Sequence, residues 1–189
     1  MTLINRVKNI LLEPASEWDV ISAESSSTAS LYQGYIIPLA AIGPLASILG
    51  MSIFGISMPL GGTVRIPLTN ALGNAITSYA LTLAGVFVIA LIVDALAPNF
   101  GGEKNSIQAL KIATYASTPS WVAGILMLIP TLGSLVLLAS LYGLYLLYLG
   151  LPKLMKAPQD KSLAYTGVVV VAALVVMAVV GAMGRVFMP

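Results

Sequence analysis

Few side chains in this sequence could take part in chemistry, and the first is a lone carboxylate. Asp94 is the only acid deep within a long apolar stretch, about one turn before Pro98. A charge inside a membrane is costly, and it marks an ion or proton route or a structural pair. Lys111 should emerge on the same side and is the expected partner for such a pair. The plainer alternative is an interfacial carboxylate that reaches back to the headgroups.

The second constellation is Thr114-Tyr115-Ala116-Ser117-Thr118-Pro119-Ser120-Trp121, the most polar stretch inside any apolar run. Pro119 lacks an N–H and clashes with the carbonyl four residues earlier, so it should kink a helix. Ser117, Thr118 and Ser120 can satisfy the freed backbone groups. Such a helix either opens onto a cavity or carries a compensated kink. Tyr142, Tyr145 and Tyr148 recur every three residues and line one slanted helix face. Packing against the polar stretch is expected of them, with a hydroxyl near Thr114, Tyr115 or Ser117.

Other chemistry is excluded by composition. The chain has no Cys and no His, which removes disulfides, thiol nucleophiles, Cys/His metal sites and imidazole bases. It has no phosphate-binding loop, no HExxH pair and no dinucleotide fingerprint. No enzyme activity and no cofactor are implied. A net charge of +2 gives no reason to expect nucleic acid as a partner.

The elements that must position these residues follow from charge spacing. Only 8% of the 189 residues are charged, 58% are hydrophobic, and the mean hydropathy is +0.96. No charge lies between Glu24 and Arg65, Arg65 and Asp94, Lys111 and Lys153, or Lys161 and Arg185. A hydrocarbon core about 30 Å thick takes roughly 20 apolar residues to cross as a helix. The expected fold is therefore all-α: a polytopic membrane bundle of five helices. They are placed at about Leu31–Phe54 (interrupted by Pro38 and Pro44), Leu72–Leu96, Ile112–Ile129, Leu132–Leu151 and Leu163–Phe187. Pro130-Thr131-Leu132-Gly133 turns the third helix into the fourth as a tight hairpin.

Residues 1–30 read as a separate cytoplasmic or interfacial arm before the membrane domain of residues 31–189. Leu3, Ile4, Val7, Ile10 and Leu11 share a face, with Asn5, Arg6, Lys8 and Asn9 opposite. That pattern suits a short helix in the headgroup region. Pro14 ends it, and Ser16 reads as the N-cap of a second short helix with Trp18 and Ile21 as interfacial anchors. The arm either packs on the membrane surface, the plainer reading, or binds a partner.

With the N-terminus inside, the inner segments hold Arg6, Lys8, Lys104, Lys111, Lys153, Lys156 and Lys161. The outer segments hold only Arg65 and Arg185, and the C-terminus, past Arg185, is external. The excess of inner basic residues follows the rule that orients membrane helices.

This arrangement resembles the Yip (Ypt-interacting protein) domain family in its bacterial branch. The resemblance rests on Tyr115-Ala116-Ser117-Thr118-Pro119, Ile129-Pro130-Thr131-Leu132-Gly133 and the string from Leu141 to Pro152, with the Pro14/Trp18/Glu24 spacing ahead of them. It implies an integral inner-membrane protein. Eukaryotic relatives bind Rab-type GTPases, but their long cytosolic N-terminal region with an Asp-Leu-Tyr-Gly-Pro motif is absent here.

Two functional classes fit. One is a non-enzymatic membrane protein that organises protein or lipid partners, a second copy of itself included, at the cytoplasmic face. The other is a small transporter or channel using Asp94 and the kinked third helix. The candidate polar cluster for either is Asp94, Lys111, Thr114, Tyr115, Ser117, Pro119, Tyr145 and Tyr148.

Overall fold

The structure is a computed structural model that describes residues 1–57 and 62–187. Pro59 and Gly61 of the second connection, and the terminal Met188, lie outside the described residues.

Two short helices come first. In α1 (Leu3–Leu12) the Thr2 side chain accepts from the Asn5 amide. Pro14 then opens α2 (Pro14–Ala23), since the N–H it lacks has no helical partner at that position anyway. Ser16, expected as the cap, lies inside α2 and donates to the Glu13 carbonyl.

The first long helix, α3, spans Thr28–Phe54. Ser27 and Ser30 form a reciprocal capping box at its start. It contains wide π turns at Tyr32–Ile36 and Gly50–Phe54. The first widens the helix just where the ring of Pro38 would meet a carbonyl, and the α-helix is interrupted at Ala41, between Ala40 and Ile42, shortly before Pro44, as expected. A two-residue antiparallel pair, Ile56–Ser57 against Thr63–Val64, precedes α4 (Leu68–Leu96).

The third element departs from expectation. It starts at Ser106 rather than Ile112, because the Asn105 side chain caps the Gln108 amide at 3.1 Å. Its first piece, α5 (Ser106–Ala116), stops at Ser117, and α6 (Thr118–Ala123) resumes with Pro119 in its first turn. Residues 124–128 and 130–135 are 3-10 turns around an extended Ile129. The connection is thus longer than the four-residue turn expected. The last helices are α7 (Val136–Met155) and α8 (Ser162–Phe187).

Among the described residues, four helical segments are long and apolar enough to cross a membrane: Thr28–Phe54, Leu68–Phe100, Pro130–Met155 and Gln159–Val176. The segment from Ser106 is not among them, because its breaks leave no single long apolar helix. The fold is an all-helical bundle with these four candidate spans.

Contacts between connections show which ends coincide. The Glu103 amide donates to Met155 O at 2.8 Å, and Lys156 pairs with Glu103 at 2.7 Å. Lys153 Nζ reaches back to Ala15 O at 2.6 Å. The arm, residues 97–105 and residues 156–161 therefore share one end, and residues 106–155 leave it and return. The outward and returning limbs are antiparallel neighbours: Ser120 Oγ and Ser140 Oγ are 3.2 Å apart. A Cβ on Gly143 would lie 2.6 Å from Ala116 O, so glycine is what lets α7 pass the break in the third element.

Candidate functional site

The densest polar construction sits at the shared end, where the arm enters the bundle. In α1 the buried face carries Arg6 and Ile10, one helical turn apart, while Ile4 is 75% exposed. This rotates the helix away from the apolar face read from sequence, and it carries a guanidinium inward. A buried charge must be paired and hydrogen-bonded. Arg6 Nη1 donates to Glu17 Oε1 and Nη2 to Glu24 Oε1. Asn9 Nδ2 completes Glu17 at 3.1 Å. Burial alone would lower the Arg6 pKa, but the Glu24 hydrogen bond and the nearby carboxylates outweigh it and raise it above the usual value.

Beneath the guanidinium lies an aromatic cluster. Arg6 Cζ is 5.7 Å from the centre of the Tyr115 ring, within cation–π range. Trp18 meets Tyr115 edge-on at 6.1 Å, and Tyr35 does so at 4.8 Å. Trp18 and Ile21 are fully buried, so they are core residues of the bundle and not the headgroup anchors expected. Trp18 packs against bare backbone: a Cβ on Gly150 would come within 2.9 Å of its ring.

The helix ends of the arm are held by side chains from the bundle. Lys111 Nζ donates to Ile21 O at 2.8 Å and also to Glu24 O. Gln108 Nε2 donates to Ser22 O at 3.1 Å. Both satisfy carbonyls at the C-terminus of α2, where a cation also meets the negative end of the helix dipole. Tyr142 Oη donates to Leu11 O at 2.8 Å, doing the same for α1. Lys153 bridges Ala15 O and Asp19 Oδ1.

The structure therefore regroups the expected cluster. Lys111 serves the arm, not Asp94. No tyrosine of α7 reaches the polar stretch: Tyr142 serves the arm, Tyr145 is 48% exposed, and Tyr148 is half-buried. Ser117 Oγ donates to Ala113 O at 2.7 Å within its own helix. Thr114 is fully buried with no hydrogen-bond partner for its hydroxyl. Buried Pro119 sits beside Thr118, whose hydroxyl is 2.9 Å from Tyr35 Oη. The aromatic partner of the break comes from α3, which sequence spacing had no means to indicate. Arg6, Glu17 and Glu24 were absent from the sequence-based cluster. The available signal was Arg6 standing one turn before Ile10, at the border of the apolar face.

Two cavities flank this construction. One, about 350 Å³, is lined by neutral residues including Pro44, Ser47, Asn74, Ser78, Thr82 and Ser120. Ser47, Ser78 and Thr82 already donate to carbonyls of their own helices. The other, about 210 Å³, holds Asp94 among Thr28, Phe87, Ala90, Leu91, Ser106 and Leu110.

The fold and site define a class: a multi-span helical membrane protein closed at one end by its own N-terminal arm. Within that class, the chain belongs to the Yip1 domain family, which matches residues 8–180. It is 24% identical over 166 residues to Inner membrane protein YohC of Escherichia coli strain K12, covering 86% of this chain and 85% of that protein. The match to YohC of the O6:H1 strain of Escherichia coli has the same extent and identity. No solved structure matches the chain.

Proposed function

We propose that this chain is a non-enzymatic protein of the bacterial inner membrane that organises protein or lipid partners at its cytoplasmic face. It crosses the bilayer five times, with the N-terminus inside and the C-terminus outside. The fifth crossing is the broken segment. Residues 106–123 rise about 27 Å as α-helix and the 3-10 turns after them add about 10 Å, against a core of about 30 Å. Likeness to a protein named for the inner membrane supports the location.

One observation carries the reading. The ion pairs among the described residues all gather at the arm end, through Arg6, Glu17, Glu24, Asp19, Lys153, Glu103 and Lys156. Those of Arg6 and Lys153 hold the arm while leaving a stripe of Ile4, Lys8 and Leu12 outward on α1, with Leu12 68% exposed. An apolar–basic–apolar stripe at helical spacing suits headgroups or a partner helix. The transporter alternative has less support. Ser120 of the third segment and Asp94 line separate cavities that share no residue.

The chain has no native cysteine, so single cysteines report cleanly. With an impermeant maleimide on intact spheroplasts, Gly62→Cys should label, and Lys8→Cys, Lys104→Cys and Lys156→Cys only after lysis. A photo-crosslinker at Ile4 or Leu12 should give discrete adducts that one at Gly62 does not. Proteoliposome ion flux abolished by Asp94→Asn would overturn the reading in favour of transport.

A further inference from the structure

The Asp94 cavity is built differently from the arm's charge network, and among the described residues nothing completes it. Asp94 Oδ1 is wholly enclosed yet has no hydrogen-bond partner. Lys111, on the facing helix, is committed to the carbonyls of Ile21 and Glu24. The residue as a whole is only partly buried, but an ionised carboxylate is an acceptor only, and leaving an enclosed oxygen of it unpaired is costly. The cavity beside it, about 210 Å³, is also lined by two hydroxyl-bearing residues, Thr28 and Ser106. The rest of its wall is Phe87, Ala90, Leu91 and Leu110.

Depth selects the ligand further. Asp94 is two residues from the end of α4, which a crossing of the bilayer would bring to the headgroup level. Phe87 sits about 10 Å further along the helix. Phe87 and Leu91 are both about half exposed, at 46% and 51%, so this wall faces the acyl chains. The site has a polar end at the interface and an apolar wall running inward.

We propose that this cavity binds the primary ammonium group of a phospholipid headgroup, with the attached chain lying along Leu91 and Phe87. An ammonium has three donors to set against the Asp94 carboxylate and the hydroxyls of Thr28 and Ser106. The Phe87 ring, too far from Asp94 to meet the ammonium, adds apolar surface for the attached chain. A calcium ion needs six to eight oxygens, more than this cavity lines. A quaternary ammonium has no N–H to offer the carboxylate. The inference does not depend on the arm's role as an organiser.

The test uses the purified full chain in detergent with equimolar dioleoyl phosphatidylethanolamine and dioleoyl phosphatidylcholine, read by native mass spectrometry. Retention of the ethanolamine lipid should exceed that of the choline lipid about tenfold, equivalent to about 1.4 kcal/mol. Asp94→Asn should abolish that preference. So should Leu91→Trp, which fills the cavity while keeping the carboxylate and changes a lipid-facing position that tolerates bulk. Leu91→Trp decides the matter if Asp94→Asn does not fold. Free ethanolamine at millimolar concentration should fail to match the lipid. Equal retention of the two lipids, a preference surviving both substitutions, or saturation by free ethanolamine without lipid preference would each overturn the proposal.

Discussion

At the arm end, α5 buries every residue from Ala109 to Tyr115. At the opposite end, the first turns of α7 leave Leu137, Leu138 and Leu141 more than 60% exposed. In the proposed topology the arm end meets water and headgroups, so burying Ile10, Trp18 and Ile21 there gains the ordinary hydrophobic effect. The far end meets acyl chains as apolar as leucine, and hiding Leu138 there would gain almost nothing. Close backbone approach does the holding instead. A Cβ on Gly124 would lie 2.9 Å from Gly43 Cα, and one on Gly50 would lie 2.2 Å from Met127 O. One chain thus uses a soluble-type core at one end and small-residue membrane packing at the other.

The largest break in this contrast should come from Trp18→Ala. It empties a fully buried aromatic site, worth about 3–5 kcal/mol, and thermal unfolding in detergent followed by circular dichroism should show the steepest loss. If its melting temperature stayed near the wild type, the arm would not be part of the core.

Next is Glu17→Ala, which leaves Arg6 buried with Glu24 as its remaining carboxylate. Breaking a buried pair costs about 3–5 kcal/mol, and the surviving Glu24 places this case at the low end. The double substitution Arg6→Met with Glu17→Leu should recover most of the loss. Failure to recover would mean the charges serve more than each other's compensation.

Gly124→Ala sharpens the comparison at the far end. Overpacking against Gly43 should cost about 1–3 kcal/mol, whereas Gly133→Ala, where a Cβ would meet open space, should change little. Equal melting temperatures for the two would refute the close-approach account. Tyr142→Phe removes one bond to Leu11 O and should cost about 0.6 kcal/mol. Last, Leu138→Ala should stay within about 0.5 kcal/mol. A larger loss would show a protein surface covering Leu138.

Legibility in the sequence followed the range of the interactions. The helical membrane class was plain, because an uncharged run of membrane length has few other uses. The family was legible in Tyr115–Pro119 and Ile129–Gly133, and its match now spans residues 8–180. The antiparallel course of the third segment against α7 was readable too, although the connection is longer than the turn it was read from. Element ends were less so. Asn105 was overlooked as a cap, and Ser16 was mistaken for one. The candidate cluster fared worst, since Lys111 and Asp94 are near in sequence-predicted topology but the amine finds two carbonyls of α2 instead.

Chain order and composition alone determined that this protein is helical, lies in a membrane, and gathers its basic residues in a few connections. Those features depend on each segment's own transfer cost, which is a local sum. Only the tertiary structure decided that Arg6 turns inward, that Trp18 rests on Gly150, and that Asp94 is left without a partner. Each depends on which surfaces meet across tens of residues, and donors and acceptors in a low-dielectric interior pair with whatever group packing brings within about 3 Å.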